Sequence, residues 1–337
     1  MSRVRVAVAG ANGYAGMTLV SLLDLHPAVE LAQLTSRSFA DRPYQAVFPL
    51  LEREGDFLGA PKPELVDVIF SCLPHNVGAN LAAEWLAQDV RVIDLSADFR
   101  LRDSAQYPRW YGQDHPCPEL LAQAVFGLPE LHAAELPQAR LIAVPGCYST
   151  AAILALAPAV KAGLVGSDIV VDAKSGVSGA GRSPGLSTHF SEVNDSVHAY
   201  AVNGHRHLAE LTQELCSLAP AQPPHLTFVP HMIPMVRGIL ATCYFDLSTS
   251  REELERAYED FYAGQPFTRV LPQPAATKLA AHNNRCLINV SQQGPKAVVT
   301  AAIDNLVKGA AGQAVECFNL AFGFERAEGL RLAAQWP

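Results

Sequence analysis

Short apolar runs alternate with helical patterns through the first half of the chain, and this alternation constrains the fold more than any other feature. The strand-like runs are RVRVAVAG, VELAQLTS, DVIFSCLP, RVIDLS and RLIAVPG, and the helix-like runs between them include YAGMTLVSLLDLH and NVGANLAAEWLAQ. Strands that alternate with helices form a parallel, doubly wound sheet. The runs are continuously apolar, as in strands that helices cover on both faces. An α/β domain is therefore predicted.

The second half of the chain has a different pattern. A glycine- and serine-rich stretch, GVSGAGRSPGLSTH, is followed by longer strand-like runs, namely LTFVPH, RGILATCYFDLS, RCLINVSQQ and AVVTAAID. Helical segments such as REELERAYEDFYAG lie between them, and VKGAAGQAVECFNLAFGF forms a last helix. Strands and helices without regular alternation favour an α+β domain with a mixed or mostly antiparallel sheet.

Composition and charge disfavour several classes of partner. The 337 residues carry a net charge of −8 and no cluster of lysine or arginine, so a nucleic-acid partner is not expected. No uncharged apolar run is long enough to cross a membrane, and the start of the chain lacks the order of a secretory signal. We therefore expect a cytoplasmic protein with no membrane partner.

The cysteine pattern argues against disulfides and metal binding. The seven cysteines are scattered, odd in number and contain no C-x-x-C pair. Disulfide frameworks and zinc sites need paired or regularly spaced cysteines. No metal is expected, and the cysteines other than Cys147 are expected to lie in the core.

A glycine-rich turn, G-A-N-G-Y-A-G, joins the first predicted strand to the first predicted helix. Its glycines permit a tight turn and the approach of a phosphate, and the helix start offers N–H groups to the anion. The motif predicts a dinucleotide site, and tight helix–strand packing alone is the alternative. The residues assigned to the site are Gly10, Asn12, Gly13, Tyr14 and Gly16, with Pro74 from the segment SCLPH.

The end of the second predicted strand bears on the choice of cofactor. An NAD site usually has Asp or Glu there, to bind the ribose 2′-hydroxyl. This chain instead has Arg37 between Ser36 and Ser38. These groups would bind a 2′-phosphate by charge-assisted hydrogen bonds, whereas a carboxylate would repel it. NADP(H) is the predicted cofactor, unless Arg37 is only a solvated loop charge.

Cys147 stands between the last strand-like run of the first half and an apolar helical run, in V-P-G-C-Y-S-T-A-A. A helix N-terminus stabilises a thiolate and raises its reactive fraction. A residue that only caps the helix would more usually be Ser, Thr or Asp. Position alone favours a nucleophile over a buried core cysteine without excluding the latter.

The segment NGHRHLAEL supplies the strongest candidates for an acid/base partner. His207 and Glu210 are three residues apart, so a helix would place them on one face. The carboxylate could then orient the imidazole, as in a generalised triad. His205 precedes this face and could contact substrate, and a solvated, histidine-rich helix start is the alternative. The weaker candidates are His75, His189 and His231.

Two further segments could bind anions. The loop SGVSGAGRS contains Ser178, Gly179 and Arg182, and it could cradle a phosphate or line a nicotinamide pocket. We assign Ser178 to the substrate and Gly179 to the cofactor. Arg237, at the start of a predicted strand, could pair with an anionic substrate group. The alternative for the loop is that it only turns the chain. The alternative for Arg237 is that it is a surface arginine.

Together these segments resemble the N-acetyl-γ-glutamyl-phosphate reductase family. The motifs that carry the resemblance are GANGYAG, LPH, DLSADFRL, FGLPE, PGCYSTA, SGVSGAGR, GHRHLAE, FVPHMIPMVRGILAT and DNLVKGAAGQA. Each is modest alone, and their number and order along the whole chain make the match specific. Val144 before Pro-Gly and Ser149 after Cys-Tyr depart from many relatives, and we expect them to alter loop packing without loss of a reacting group.

The resemblance implies a Rossmann domain plus an α+β domain of the aspartate-semialdehyde dehydrogenase and glyceraldehyde-3-phosphate dehydrogenase type. In that architecture the C-terminal helix packs back on the nucleotide-binding domain. Residues 1–146 and 310–337 would thus form the NADP-binding domain, and residues 147–309 the catalytic and oligomerisation domain. The resemblance also implies a homodimer or homotetramer, and it places Asn305 near the nicotinamide.

The activity implied is the NADPH-dependent reduction of N-acetyl-γ-glutamyl phosphate to a semialdehyde in arginine biosynthesis. Cys147 would form a thioester as phosphate leaves, and His207, backed by Glu210, would transfer protons. Two alternatives stay open. One is a related reductase acting on aspartyl phosphate or a carrier-linked aminoadipyl phosphate, and the other is a catalytically inactive protein that senses NADP.

Overall fold

A computed structural model describes residues 3–333 of the chain. These residues divide into two units, one of residues 3–145 with 310–331 and one of residues 146–309 with 332–333. The domain boundaries implied by the resemblance also take in residues 1–2 and 334–337, which lie outside the described residues. Those boundaries therefore stay a prediction.

The first unit is built on a six-stranded sheet. Its elements are β1 (Val4–Ala9), α1 (Tyr14–Asp24), β2 (Val29–Thr35), β3 (Val68–Ser71), α2 (Gly78–Ala87), β4 (Arg91–Asp94), α3 (Tyr107–Tyr111), β5 (Ala124–Phe126), α4 (Pro129–His132) and β6 (Leu141–Ala143). The strand order is β2-β1-β3-β4-β6-β5, and each neighbouring pair is parallel. All four residues of β3 are buried, as expected in a parallel sheet. The predicted doubly wound architecture is confirmed.

The carboxyl ends of β1 and β3 form a topological switch point. The chain runs from β1 to β2 on one side and then returns to β3 on the other side of β1. Ligands of open α/β sheets bind in the crevice at such a point. The glycine-rich turn follows β1 and the segment with Pro74 follows β3, so the sheet brings these two motifs to the same edge.

The second unit is built on a seven-stranded mixed sheet. Its elements are α5 (Cys147–Lys161), β7 (Val165–Gly176), α6 (Phe190–Val193), β8 (His198–Ala199), α7 (His207–Leu218), β9 (His225–Ile233), β10 (Ile239–Leu247), α8 (Arg251–Phe261), β11 (Thr268–Val270), α9 (Thr277–Ala280), β12 (Cys286–Gln293) and β13 (Lys296–Ile303). The order is β11-β12-β13-β10-β7-β9-β8. The pairs β11–β12 and β7–β9 are parallel, and the other neighbouring pairs are antiparallel. This sheet confirms the predicted α+β domain.

Helix α5 is the central helix of the second unit. Every residue from 148 to 160 is buried, and the helix packs against β7, β10 and β13 and against α7 and α8. Its sequence is apolar or small on all sides, which suits a helix enclosed by other elements. Cys147, the first residue, is only partly buried, so the thiol lies where this enclosed helix becomes accessible.

The last helix, α10 (Gly312–Ala321), follows a π-helical turn formed by Val307–Ala311. One continuous helix was expected over this run, and the turn is the difference. A Cβ built on Gly309 would lie 2.8 Å from the Cβ of Cys147, so a side chain there would force the two segments apart. The π-helical turn therefore occurs where the backbone passes close to Cys147.

All seven cysteines are free thiols. The buried ones are Cys117, Cys243, Cys286 and Cys317. Cys72 and Cys216 are only partly buried, so the expectation of core positions is wrong for these two. Within residues 3–333, no helix combines the length and apolar character needed to span a membrane.

Candidate active site

The residue before Cys147 contacts both members of the predicted acid/base pair. Gly146 is the extended N-cap of α5, and its N–H donates a hydrogen bond to Oε2 of Glu210 at 2.8 Å. A Cβ built on Gly146 would lie 2.3 Å from Nε2 of His207. Glycine is therefore required here because the imidazole occupies the space of a side chain.

His207 and Glu210 lie on one face of the first turn of α7. Nε2 of His207 is 3.9 Å from Oε1 of Glu210, which is within ion-pair range but long for a hydrogen bond. Both residues are buried, Glu210 completely. Gly146, next to Cys147 at the start of α5, contacts both His207 and Glu210 at the start of α7. The three predicted catalytic residues are thus brought together within the second unit.

His205 lies two residues before His207, the first residue of α7, and aromatic rings enclose it. Its Nδ1 accepts a hydrogen bond from the N–H of His207 at 3.1 Å. Burial, with the adjacent charge of Arg206, lowers the pKa of His205 to about 4, so the imidazole is neutral near pH 7. The neighbouring rings, with centroids 4.6 to 5.8 Å away, are those of Tyr148, Tyr200, His207 and Phe228.

The weaker histidine candidates belong to other elements of the chain. His189 is exposed at the start of α6. His231 lies on β9, where its ring is 3.0 Å from Asp172 and its carbonyl accepts a hydrogen bond from the hydroxyl of Tyr148. His75 belongs to the first unit.

Ser178, Gly179 and Asn305 form one cluster in the second unit. Nδ2 of Asn305 donates to Oγ of Ser178 at 2.9 Å, and its Oδ1 accepts from the N–H of Gly238 at 2.7 Å. A Cβ built on Gly179 would lie 3.7 Å from the same Nδ2. Ser178 and Asn305 are both buried. The predicted substrate residue and the predicted nicotinamide residue are therefore hydrogen-bonded neighbours.

Arg237 is paired with a carboxylate that the sequence analysis did not single out. Its Nη1 lies 3.4 Å from both carboxylate oxygens of Asp304, which is fully buried. Asp304 also accepts backbone hydrogen bonds at 2.7 to 3.0 Å. The donors are the N–H groups of His282, Leu306 and Val307. Asp304 therefore pairs with Arg237 from a hydrogen-bonded turn, and Arg237 is not a free surface charge.

The glycines of the turn after β1 have different roles in the first unit. Gly10 has a φ of +78°, and a Cβ there would lie 2.7 Å from the carbonyl oxygen of Cys72. A Cβ on Gly16 would lie 2.5 Å from the carbonyl oxygen of Gly10. A Cβ built on Gly13 would have the carbonyl oxygen of Gly10 as its nearest neighbour, at 3.7 Å. Close packing thus accounts for Gly10 and Gly16, whereas Gly13 leaves space at the start of α1.

Hydroxyl and amide groups connect this turn with the end of β2. Oγ of Ser36 donates to Oδ1 of Asn12 at 3.0 Å, and Nδ2 of Asn12 donates to Oγ of Ser38 at 3.3 Å. Arg37 and Ser38 are exposed, and so are Tyr14 at the start of α1 and Pro74 after β3. The predicted cofactor residues of the first unit therefore lie around the switch point of its sheet.

Comparison with known proteins identifies the family. Residues 5–139 match the family model described as semialdehyde dehydrogenase, NAD binding domain, and residues 147–305 match semialdehyde dehydrogenase, dimerisation domain. A relative from Dehalococcoides mccartyi named N-acetyl-gamma-glutamyl-phosphate reductase is 45% identical over 345 residues, covering 100% of both chains. A relative of the same name from Symbiobacterium thermophilum is 46% identical and covers 97% of both chains. Another from Pseudomonas savastanoi is 44% identical, covering 99% of this chain and 100% of its own.

The chain belongs to the N-acetyl-gamma-glutamyl-phosphate reductase family. Membership confirms the resemblance inferred from the motifs. It also confirms that the chain is an enzyme of the semialdehyde dehydrogenase type with an NAD-binding domain.

Solved structures confirm the predicted fold class of this reductase family member. Aspartate semialdehyde dehydrogenase II from Vibrio cholerae superposes with a TM-score of 0.72 at 17% identity, covering 96% of this chain and 99% of the other. Aspartate semialdehyde dehydrogenase with NADP from Candida albicans has a TM-score of 0.69 at 14% identity, with coverages of 95% and 98%. At these identities the likeness establishes the fold alone.

The reductase also contains a buried acidic pair that the sequence analysis missed, within DLSADFRL. Burial, and next the charge of Asp98, raises the pKa of Asp94 to about 6. Burial would also raise the pKa of Asp98, but His75 at 2.5 Å and the N–H of Asn76 at 2.8 Å lower it overall. The motif was visible in sequence, but the burial of both carboxylates was not. Asp98 fixes the turn after Pro74, next to the switch point.

Proposed function

We propose that this chain reduces N-acetyl-γ-glutamyl phosphate to N-acetylglutamate 5-semialdehyde with NADPH and releases phosphate, as a step of arginine biosynthesis. The observation that carries the proposal is the meeting of Cys147, His207 and Glu210 at Gly146 in a chain of this family. A thiol at a helix start, an imidazole and an orienting carboxylate are the groups that covalent acyl transfer needs.

The catalytic residues act in the following order. His207 accepts the proton of the Cys147 thiol, and the thiolate attacks the acyl carbon. A C–S bond forms, the C–O bond to phosphate breaks, and N–H groups at the start of α5 stabilise the oxyanion of the tetrahedral intermediate. The bound cofactor supplies the hydride that reduces the thioester. His207, now an imidazolium, returns its proton to the sulfur as the C–S bond breaks and the semialdehyde leaves.

The first unit fits NADP(H) better than NAD(H). The end of β2 carries exposed Arg37 beside hydrogen-bonded Ser36 and Ser38, and no carboxylate lies within T-S-R-S. The space at Gly13 would admit a phosphate to the helix start. The residues proposed to hold the cofactor are Gly10, Asn12, Gly13, Tyr14, Gly16, Ser36, Arg37, Ser38 and Pro74 from the first unit, and Gly179 and Asn305 from the second.

Arg237 and Ser178 are the proposed substrate contacts. The substrate is anionic, and Arg237 offers a guanidinium already oriented by Asp304. Ser178 offers a hydroxyl oriented by Asn305. The substrate contact expected of His205 from the sequence stays a prediction, and the hydrogen bond that its Nδ1 accepts supports a different role.

The dimerisation-domain match over residues 147–305 supports a homo-oligomer, which we propose to be a dimer or tetramer. The two family-model matches support a division into an NADP-binding domain of residues 1–146 and 310–337 and a catalytic domain of residues 147–309. A cytoplasmic location stays a prediction.

The test is NADPH oxidation with N-acetylglutamyl phosphate, and the phosphate-dependent reverse reaction, beside aspartate semialdehyde. We expect turnover with the acetylated substrate, and we expect Cys147→Ser to bind NADPH and lose nearly all turnover. Cys216→Ser, which changes a partly buried thiol elsewhere in the second unit, is the matched control. Preference for aspartate semialdehyde would favour the related-reductase alternative. NADPH binding without turnover of any acyl phosphate would favour the sensing protein.

A further inference from the structure

Helix α7, which carries His207, is capped in an unusual way. Arg206, directly before the helix, already has helical φ and ψ and makes no side-chain capping hydrogen bond. Instead, Nδ1 of His205 accepts from the N–H of His207, and the carbonyl of His205 accepts from the N–H of Leu208 at 2.9 Å. His205 is therefore the residue that caps α7, in a position that Ser, Thr, Asp or Asn usually occupies.

This hydrogen bond determines the protonation state of His205. A backbone N–H can only donate, so Nδ1 must be unprotonated and the neutral ring carries its proton on Nε2. An imidazolium would place an N–H at Nδ1 and could not accept the bond. The enclosing rings of Tyr148, Tyr200 and Phe228 offer no negative charge to favour a cation, and the neighbouring Arg206 opposes one. The capping form is thus the form that exists near pH 7.

The same hydrogen bond controls the placement of His207. The N–H that is bound belongs to His207 itself, and the two imidazole rings lie 4.6 Å apart at an interplanar angle of 80°. The imidazole of His207 also fits against Gly146 with no room for even a methyl group. A small shift of the first turn of α7 would therefore change the position of the imidazole relative to Gly146 and the adjacent Cys147.

We propose that His205 is a positioning residue, whose neutral imidazole caps α7 through Nδ1 and holds His207 in place for proton transfer. In this role His205 neither exchanges protons with the substrate nor binds it. The inference rests on the proposed function, because it takes His207 as the acid/base of that reaction.

Two variants separate this role from the others. His205→Asn keeps an oxygen acceptor of the kind preferred at caps, whereas His205→Phe keeps an aromatic ring and loses the acceptor. The direct readout is hydrogen exchange of the His207 amide. The functional readouts are kcat and KM for N-acetylglutamyl phosphate and the pH profile of kcat.

We expect His205→Asn to protect the His207 amide and to keep most of kcat. His205→Phe should lose the protection and lower kcat by about tenfold to a hundredfold, because misplaced catalytic groups cost this much. KM should change little in either variant. If His205→Phe does not fold, His205→Leu replaces it, since it too lacks the acceptor.

A rise in KM in both variants would overturn the inference in favour of a substrate contact. Loss of kcat in both, with loss of one limb of the pH profile, would instead make His205 the acid/base. Unchanged amide exchange in His205→Phe would also overturn it. Failure of the proposed function would give a different result. The unsubstituted chain would then show no turnover of N-acetylglutamyl phosphate, while slow exchange of the His207 amide would still show that His205 caps α7.

Discussion

The carboxylate of Glu210 accepts a hydrogen bond from the backbone N–H of Gly146 at 2.8 Å, and its second oxygen lies 3.9 Å from Nε2 of His207. One fully buried side chain thus connects the turn that leads into Cys147 with the imidazole proposed as its proton acceptor. Glu210 therefore orients the peptide beside the nucleophile as well as the imidazole. In a simple triad of cysteine, histidine and carboxylate, the carboxylate would need to orient only the imidazole.

This double role predicts different outcomes for two substitutions. Glu210→Gln keeps an oxygen for the Gly146 N–H but removes the charge near His207, so kcat should fall while stability changes little. Glu210→Ala also leaves that buried N–H without its partner. Its free energy of unfolding should therefore be lower than that of Glu210→Gln by about 1–3 kcal/mol. Urea unfolding and kcat of both variants check this. Equal stability of the two would contradict the backbone role.

A methyl group at residue 146 should impair catalysis. Gly146→Ala places a Cβ 2.3 Å from Nε2 of His207, so the imidazole or the turn before Cys147 must move. We expect kcat to fall by about tenfold to a hundredfold, with NADPH affinity retained. Gly185→Ala is the matched control, because a Cβ there has only Oγ1 of Thr188 within 4 Å, at 3.8 Å. A wild-type kcat in Gly146→Ala would show that His207 need not occupy this position.

Reversal of charge at residue 37 should change cofactor preference. If Arg37 binds the 2′-phosphate, Arg37→Asp should raise KM for NADPH by roughly ten- to hundredfold, since it replaces charge-assisted hydrogen bonds with repulsion. KM for NADH should change far less. Arg42→Asp makes the same charge change at another exposed position of the first unit and serves as control. Equal effects on both cofactors would refute the NADP(H) assignment.

The raised pKa of Asp94 predicts a pH-dependent stability. The native carboxyl, with a pKa of about 6, holds its proton more tightly than the unfolded one, whose pKa is about 3.9. The stabilising contribution is therefore complete below about pH 4 and is lost as the pH rises to about 6. Relative to Asp94→Asn, which cannot titrate, the wild-type free energy of unfolding should fall by about 1–3 kcal/mol across this range.

Urea unfolding of the wild type and Asp94→Asn at several pH values measures this difference. Titration of His205 in the same range affects both proteins equally and cancels. Asp114→Asn, at an exposed position, controls for the loss of one carboxyl group. A difference that stayed constant or grew with pH would contradict the raised pKa.

The fold was predictable because its main signals are local. The continuous apolar runs of β1 and β3 and the glycine-rich turn after β1 indicate a parallel sheet with a helix start at its edge, and the protein has both. The π-helical turn before α10 was not predictable. It coincides with the close approach of Gly309 to Cys147, two residues far apart in sequence.

The candidate site was predictable in part for the same reason. His207 and Glu210 share a helix, so their spacing alone placed them on one face, whereas Asp304 gave no comparable signal. Its importance comes from complete burial, the hydrogen bond from the N–H of His282 and the pairing with Arg237, all of which are tertiary. The spacing to Glu210 separates His207 from His205 in sequence, but the hydrogen bond that Nδ1 of His205 accepts from the N–H of His207 is visible only in the structure.

By itself, the sequence determined the two fold classes, the position of the glycine-rich turn, the thiol at a helix start and the family to which the chain belongs. These depend on periodicity and on motifs within short segments, which neighbouring residues specify. The tertiary structure alone decided that Glu210 reaches Gly146, that Asp304 holds Arg237 and that His205 is neutral. The first two depend on hydrogen bonds between segments distant in sequence, and the third depends on burial, which lowers the pKa of His205. All three arise only when the second unit folds.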